Sequence, residues 1–477
     1  METIKTDIVV IGAGPGGYAG AFYAADLGKK VIMVEQEKRL GGVCLNRGCI
    51  PSKAYLHAAK LVKEAQESSF RGITFDPPRL DLVKMREWKE SILNKLAQGI
   101  AGLAKRRSCD VMQGRGYFED AHTLRVETEA GQKYVQFEHA IIAVGSKAAM
   151  PKAFDLGNPR IMTATEALEV EEIPGDLLIV GGGYIGLELG TVYATFGSKV
   201  VVMEAMDSIL TGADPDLTAP VLRYAQHAFR EMRVKTRVLN MSTAGKKIKV
   251  ISETGGEKKE ELYDRVLVCV GRTPNGEDLG LENTRVERDE RGYIKVNHQG
   301  QTAEPHIYAV GDIAGGILLA HKAAREARIA VEVIAGEHST TEDMVMPAVV
   351  FTDPEVAWAG LTEADAKERG LNIEVVKFPW SASGRALSFD RTDGLTKILV
   401  DRETERILGV GICGHGAGEL ISEGVFAIEM GATARDLAEC IHPHPTLSET
   451  LMECAEMFYD TATHTLPRRK KRDVAPS

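Results

Sequence analysis

Asp7-Ile8-Val9-Val10-Ile11-Gly12-Ala13-Gly14-Pro15-Gly16-Gly17 and, farther along, Leu177-Leu178-Ile179-Val180-Gly181-Gly182-Gly183-Tyr184-Ile185-Gly186 repeat one design. Each is a short apolar run of buried-strand type that breaks into a glycine turn. A helical pattern follows, Tyr18 to Leu27 in the first copy and through Phe196 in the second. A second apolar strand, Val31 to Val34 or Val200 to Met203, then ends on an acid, Glu35 or Glu204. From Gly12 to Glu35 and from Gly181 to Glu204 the interval is the same 23 residues. Glycines let a backbone approach a pyrophosphate, a helix N-terminus offers unpaired N–H groups, and the strand-terminal carboxylate accepts hydrogen bonds from ribose hydroxyls. One such motif would be weak, and glycines serving turns alone are the competing reading. Two full units predict an α/β protein with two Rossmann-like dinucleotide sites. Gly12, Gly14, Gly17 and Glu35 belong to the first; Gly181, Gly183, Gly186 and Glu204 belong to the second. A glutamate repels a 2′-phosphate, so Glu204 favours NAD over NADP.

Just after the first unit comes Gly41-Gly42-Val43-Cys44-Leu45-Asn46-Arg47-Gly48-Cys49-Ile50-Pro51-Ser52-Lys53. In a regular helix an i,i+5 pair has Cα atoms roughly 8 Å apart, beyond the roughly 7 Å limit for a disulfide. A bridge between Cys44 and Cys49 therefore needs distorted backbone, which Gly41, Gly42 and Gly48 make easy. A strained, partly exposed disulfide is readily reduced, which suits a site cycling between dithiol and disulfide. Two unrelated free thiols are the alternative.

The chain has 477 residues, room for several domains, and its 44% hydrophobic and 26% charged content is ordinary. A net charge of −10 argues against a nucleic-acid binder, and the one basic cluster, Arg468 to Arg472, falls in the last ten residues. Seven scattered cysteines are unlike a secreted disulfide framework and imply a reducing compartment. With Gly12 so near Met1 no leader is expected, and no apolar run approaches the roughly 20 residues of a membrane span. A cytoplasmic protein is expected.

Beyond the glycine units, Leu80 to Arg107 reads as a long helix, and Val266 to Asn275 and Ile307 to Asp312 read as strands entering loops. Asp312, at a strand end, can bond a cofactor polyol; a bare turn aspartate is the rival reading. From Met344 the pattern changes to strands over Gly394 to Gly411 and helices over Gly416 to Met430 and Leu447 to Met457, a separate α+β domain. Its reactive cluster is Ile441-His442-Pro443-His444-Pro445-Thr446-Leu447-Ser448-Glu449. Pro445 can open a helix, which would put Glu449 in the early turns, able to reach back to His444. A carboxylate on one ring nitrogen fixes the tautomer and leaves the other free to move a proton, as a dithiol needs. A metal site on His442 and His444, or an ordinary turn, competes; no Cys or Asp at ligand spacing supports a metal. A disulfide and a nicotinamide exchange electrons poorly without a carrier, so flavin is the implied intermediary, with FAD at the first unit.

The Gly41 to Lys53 run, the paired units, Gly311-Asp312, the run Phe378 to Ala386 and the His-Pro-His-Pro-Thr segment with Glu449 together resemble the dihydrolipoamide dehydrogenases, flavin-dependent disulfide oxidoreductases of the 2-oxoacid dehydrogenase complexes. The resemblance spans essentially the whole chain. It implies an FAD domain over 1–150, an NAD domain over 151–275, a central domain over 276–345 completing the FAD site, and a dimerisation domain over 346–477. It also implies roles. Cys49 is the thiol nearer the flavin, forming the charge-transfer thiolate, and Cys44 exchanges with lipoamide. His444, held by Glu449, is the base. Lys53 approaches the flavin and pairs with Glu188, and Tyr184 gates the nicotinamide face. Gly116, Asp312 and Ala320 join the FAD site; Ile185, Val238 and Gly271 join Glu204 at NAD. In this family His444 and Glu449 serve the other subunit's cysteines, so the active unit is a homodimer, and the partners are lipoyl domains. Arg47 departs from the small apolar residue common there and places a charge near the thiols. Rival classes are a sibling disulfide or metal-ion reductase run in the opposite direction, which Glu204 and the lack of cysteines after Cys454 disfavour, and a non-catalytic nucleotide-holding scaffold, which would need neither the thiol pair nor His444.

Overall fold

The computed structural model describes residues 3–467; the basic cluster Arg468 to Arg472 lies outside them. The first sheet runs Asp110–Gln113, Val31–Glu35, Thr3–Ile11, Gly131–Ile142, Thr123–Thr128, Arg115–Asp120, and Ile307–Ala309 pairs with Gly131–Ile142. Val31–Glu35 is buried at every position, as a parallel strand covered on both faces requires. Ile11 pairs with Ile142, and Ile142 with Ala309, all parallel. Register alone therefore brings Gly12, Ala143 and the Gly311-Asp312 turn out side by side at the carboxyl ends of three strands, where open α/β sheets bind ligands. The segment after 276 thus returns to the first sheet.

The second sheet, also parallel, runs Glu231–Arg233, Lys199–Met203, Asp176–Val180, Arg265–Val268, Ile161–Met162. Val180 faces Met203 on one side and Val268 on the other, so Gly181 and Glu204 leave adjacent strands together. From 348 onward the sheet is antiparallel, ordered Ala348–Val350, Glu355–Gly360, Ile407–Gly414, Leu395–Asp401, Ile373–Pro379. The helices Ala417–Glu429 and Glu449–Phe458 pack on it around the fully buried Trp380, whose indole N–H donates to Thr396 Oγ1 at 2.9 Å. The Pro445 expectation is corrected here: the helix begins at Glu449, not at the proline. Thr446 turns the segment first, its hydroxyl donating to Pro443 O at 2.7 Å.

A buried charge cluster joins the second nucleotide unit to this last sheet. Lys397, 1% exposed, lies 2.6 Å from Asp214, 2.8 Å from Asp216 and 2.8 Å from Glu363. Those three carboxylates have metal-ligand spacing, but the Lys397 ammonium sits among them and Lys377 adds a second cation. Removing one partner of a buried pair strands the others, so Lys397→Met is expected to cost about 3–5 kcal/mol, read as an earlier urea midpoint at unchanged slope. Among the described residues no helix is long and apolar enough to cross a membrane.

Candidate active site

The two glycine loops are superimposable in their chemistry. Gly12 has φ +99° and Gly181 +110°, and a Cβ on either would meet a backbone oxygen, of Ala143 at 2.5 Å or Cys269 at 2.4 Å. Gly17 and Gly186 pack the helix on the strand, where a Cβ would sit 1.9 Å from Gly12 O or 2.4 Å from Gly181 O. The middle glycines differ. A Cβ on Gly183 would meet nothing within 4 Å, and on Gly14 only Gly42 Cα at 3.8 Å. Gly14 and Gly183 are also the N-caps of Pro15–Asp26 and Tyr184–Thr195, with no side-chain cap. Open space before uncapped helix N–H groups fits a pyrophosphate.

Each terminal acid is wired alike. Glu35 Oε2 accepts from Ala13 N–H at 2.7 Å and Oε1 from Glu37 N–H at 2.9 Å; Glu204 accepts from Gly182 N–H at 2.6 Å and Met206 N–H at 2.7 Å. Beyond Glu35 opens a groove of about 500 Å³, lined by Glu37, Leu40, Ala101 and Gln113 among others. These features fit FAD at the first unit. Gly116 is buried in the same sheet, and Ala320 starts the helix Ala320–Ile334. At the second unit Ile185 is half-buried and Tyr184 exposed, and Gly271 has φ +128° with free space around its missing Cβ. The Val238 side chain is buried with Val201 and Met203 beneath the second unit's sheet.

Gly48, at φ −145°, ψ −112°, ends the helix Gly42–Arg47 and starts Cys49–Glu67, so the cysteines lie in separate helices. A Cβ there would meet Val43 O at 3.0 Å and Cys44 Cα at 3.3 Å; the chain folds back on Cys44 because residue 48 has no side chain. Cys44 is half-buried and Cys49 reaches the surface, and each thiol is set by the other. The Cys44 thiol, as a donor, lowers Cys49 to about 7 against desolvation, and the Lys53 ammonium helps. Cys44 is pushed well above the thiol range by that donor role toward Cys49, and burial adds to it. The two opposite shifts favour negative charge on Cys49 over Cys44. Arg47, instead of facing the thiols, pairs with Glu37 at 3.1 Å.

Lys53 Nζ lies 2.7 Å from Glu188 Oε2, whose other oxygen accepts from Phe351 N–H at 2.9 Å. Glu188 is 2% exposed and thus joins the thiol helix, the second loop helix and the entry to the last domain. Asp312 accepts from the Ser146 hydroxyl and pairs with Arg272 at 3.4 Å, and Arg272 in turn donates to Ser146 Oγ at 2.6 Å. Ser146 and Arg272 went unassigned in the sequence, although Arg272 stands in the strand-to-loop run ending at Asn275 and its charge was a visible signal.

His444 Nδ1 lies 2.8 Å from Glu449 Oε1, and Glu449 Oε2 accepts from Thr446 N–H at 2.7 Å. Burial pushes Glu449 up, but the Thr446 N–H and the His444 imidazole outweigh it and hold the carboxyl below its usual range. The His444 ring is 72% exposed, and among the described residues its Nε2 has no hydrogen-bond partner. Nor does any hydrogen bond join it to Cys44 or Cys49 of the same chain. His442 is not paired with His444 as a ligand set; it bonds Glu423 at 2.6 Å and pins the segment to the helix Ala417–Glu429.

Residues 6–327 match the pyridine nucleotide-disulphide oxidoreductase family and residues 346–455 its dimerisation domain, which supports a homodimer. The chain is 45% identical to the dihydrolipoyl dehydrogenase of Vibrio cholerae over 472 residues, 99% of each chain, and 44% identical to that of Staphylococcus aureus over 97% of this chain and 98% of the other. Among solved structures, LpdA from Mycobacterium tuberculosis superimposes with a TM-score of 0.88 at 25% identity, covering 95% of this chain and 99% of that one. The HOCl-induced flavoprotein disulfide reductase RclA from Escherichia coli gives 0.84 at 28%, over 94% and 99%. Enzymes of this kind use FAD and NAD(H). The chain therefore belongs to the pyridine nucleotide-disulphide oxidoreductase family, within its dihydrolipoyl dehydrogenase branch.

Proposed function

We propose that the protein oxidises protein-bound dihydrolipoamide to lipoamide and delivers the electron pair to NAD⁺ as NADH, working on lipoyl domains in the cytoplasm as a homodimer. The observation that carries the reading is the placing of Cys44 and Cys49 on either side of a helix break just after the first glycine loop, with Lys53, on the helix that Cys49 opens, paired to Glu188. Cys44 exchanges with the substrate sulfur. His444 takes the first substrate proton at Nε2, steadied through Nδ1 by Glu449. As the substrate becomes a disulfide, its two electrons convert the Cys44–Cys49 disulfide to the dithiol. FAD, when bound, supplies the two-electron carrier between dithiol and nicotinamide. Gly12, Gly14, Gly17, Glu35, Gly116, Asp312 and Ala320 would hold it, with Lys53 set near the ring by Glu188. Gly181, Gly183, Tyr184, Ile185, Gly186, Glu204, Val238 and Gly271 would serve NAD.

Dihydrolipoamide with NAD⁺ and the purified protein should yield NADH; a preparation that binds no flavin or forms no NADH would sink the reading. NAD⁺ should be preferred to NADP⁺, and Glu204→Ala should narrow that preference about tenfold, since it removes both a ribose acceptor and a charge opposed to a 2′-phosphate. A related disulfide reductase is the second reading, favoured by the likeness to RclA; it is the better one if NADPH proves the stronger reductant of a small disulfide.

A further inference from the structure

The helix Glu449–Phe458 carries three acids toward one side, Glu449, Glu453 and Glu456, at spacings of four and three. Residues four apart on a helix have Cβ atoms about 5–6 Å from each other, so two ionised carboxylates there repel. Glu453 is 3% exposed, and such a charge needs a partner. The partner arrives from the segment after the helix. His464 places Nδ1 on Glu453 Oε1 and its backbone N–H 3.3 Å from Oε2.

We propose that His464 is a positioning residue for the His444–Glu449 pair: by donating to the Glu453 carboxylate one helical turn beyond Glu449, it sets the pH range in which His444 works as a base. This rests on the reading of His444 as that base. Glu449 fits the arrangement, since the Thr446 N–H and the His444 imidazole overcome its burial and His464 adds to the lowering. Glu456 behaves oppositely, raised by burial and by Glu453, with Oε2 buried and unpartnered. On the elements packed against this helix and beside His444 the other charged groups have partners of their own: Asp401 accepts from the Glu403 and Thr404 N–H groups, and His442 holds Glu423 at 2.6 Å. Arg435 pairs with Glu439, Asp436 caps on Thr433, Glu374 meets Arg402, and Lys377 and Lys397 hold Asp216 and Glu363.

The test is the pH dependence of kcat/KM for dihydrolipoamide in the flavin-loaded dimer. In His464→Leu the Glu453 carboxylate keeps the backbone N–H at 464 but loses the imidazole donor, so it acts more strongly on His444 and the acid limb should move up by about half to one pH unit. Adding Glu453→Gln to His464→Leu should return the limb to its native position, which lost packing could not do. A limb that does not move in His464→Leu, or that stays displaced in the double variant, overturns the proposal. His444→Gln is run alongside: if it keeps full turnover, the base assignment itself fails, whereas a dead His444→Gln with an unmoved His464→Leu limb removes only the role of His464.

Discussion

Cys44→Ser is expected to lower dihydrolipoamide turnover by more than about 10⁴-fold while the protein still folds and binds flavin. A serine hydroxyl can still act as a donor toward Cys49, but it cannot exchange with a disulfide. The contrast with Cys44→Ala separates the two duties of this sulfur. Alanine removes the donor, leaving burial to oppose the Cys49 thiolate with Lys53 as its main support. A thiol lowered to about 7 is ionised above that pH and protonated below it. Alkylation of Cys49 by iodoacetamide, followed by peptide mass, should therefore rise through about pH 7 in Cys44→Ser and only at higher pH in Cys44→Ala. Identical profiles would show that the Cys44 proton does not set the charge on Cys49, and turnover surviving in Cys44→Ser would remove the thiol pair from the chemistry.

His444→Gln should reduce kcat/KM by about 10²–10⁴-fold, the usual contribution of a positioned acid–base group, with the oligomer and the flavin content unchanged. A glutamine amide can still donate to Glu449 Oε1, so the segment keeps its anchor. Glu449→Gln should fall between, because it spares the imidazole and removes its orienting charge. The pair also has a pH signature. Glu449 is depressed in the folded state, so the stability it contributes is present above the ordinary carboxylate range and fades as pH falls through its lowered value. A His444→Gln enzyme within threefold of native turnover would mean that solvent or another side chain moves the proton.

What could be read in the chain and what could not divide along sequence distance. The glycine loops are local chemistry: turn, helix start and acid lie within 23 residues, and residue type states the purpose of each. The two thiols were legible as a pair for the same reason, and Gly41, Gly42 and Gly48 as sources of distortion, although not that Gly48 alone breaks the helix between them. Lys53 and Glu188 stand 135 residues apart, and only likeness to a family could have joined them; the structure sets them at 2.7 Å. Ser146, Arg272 and Asp312 come together across 126 and 166 residues through strand ends that only the paired sheet aligns. Pro445 misled because a proline before a helical pattern is a common start, whereas here Thr446 uses its hydroxyl and N–H to turn the chain before Glu449 opens the helix. The charge of Arg47 was visible, but not that Glu37, ten residues earlier, takes it up.

Glu188 is a single anion shared by three parts of the polypeptide, through Lys53 on one side and the Phe351 amide on the other. The modules of this molecule are consequently not interchangeable cassettes. A nicotinamide-binding unit transplanted from a relative, or expressed as an isolated fragment, would bring a solvent-excluded carboxylate stripped of both its neighbours, so any chimera has to import the lysine and the crossover peptide together with the loop.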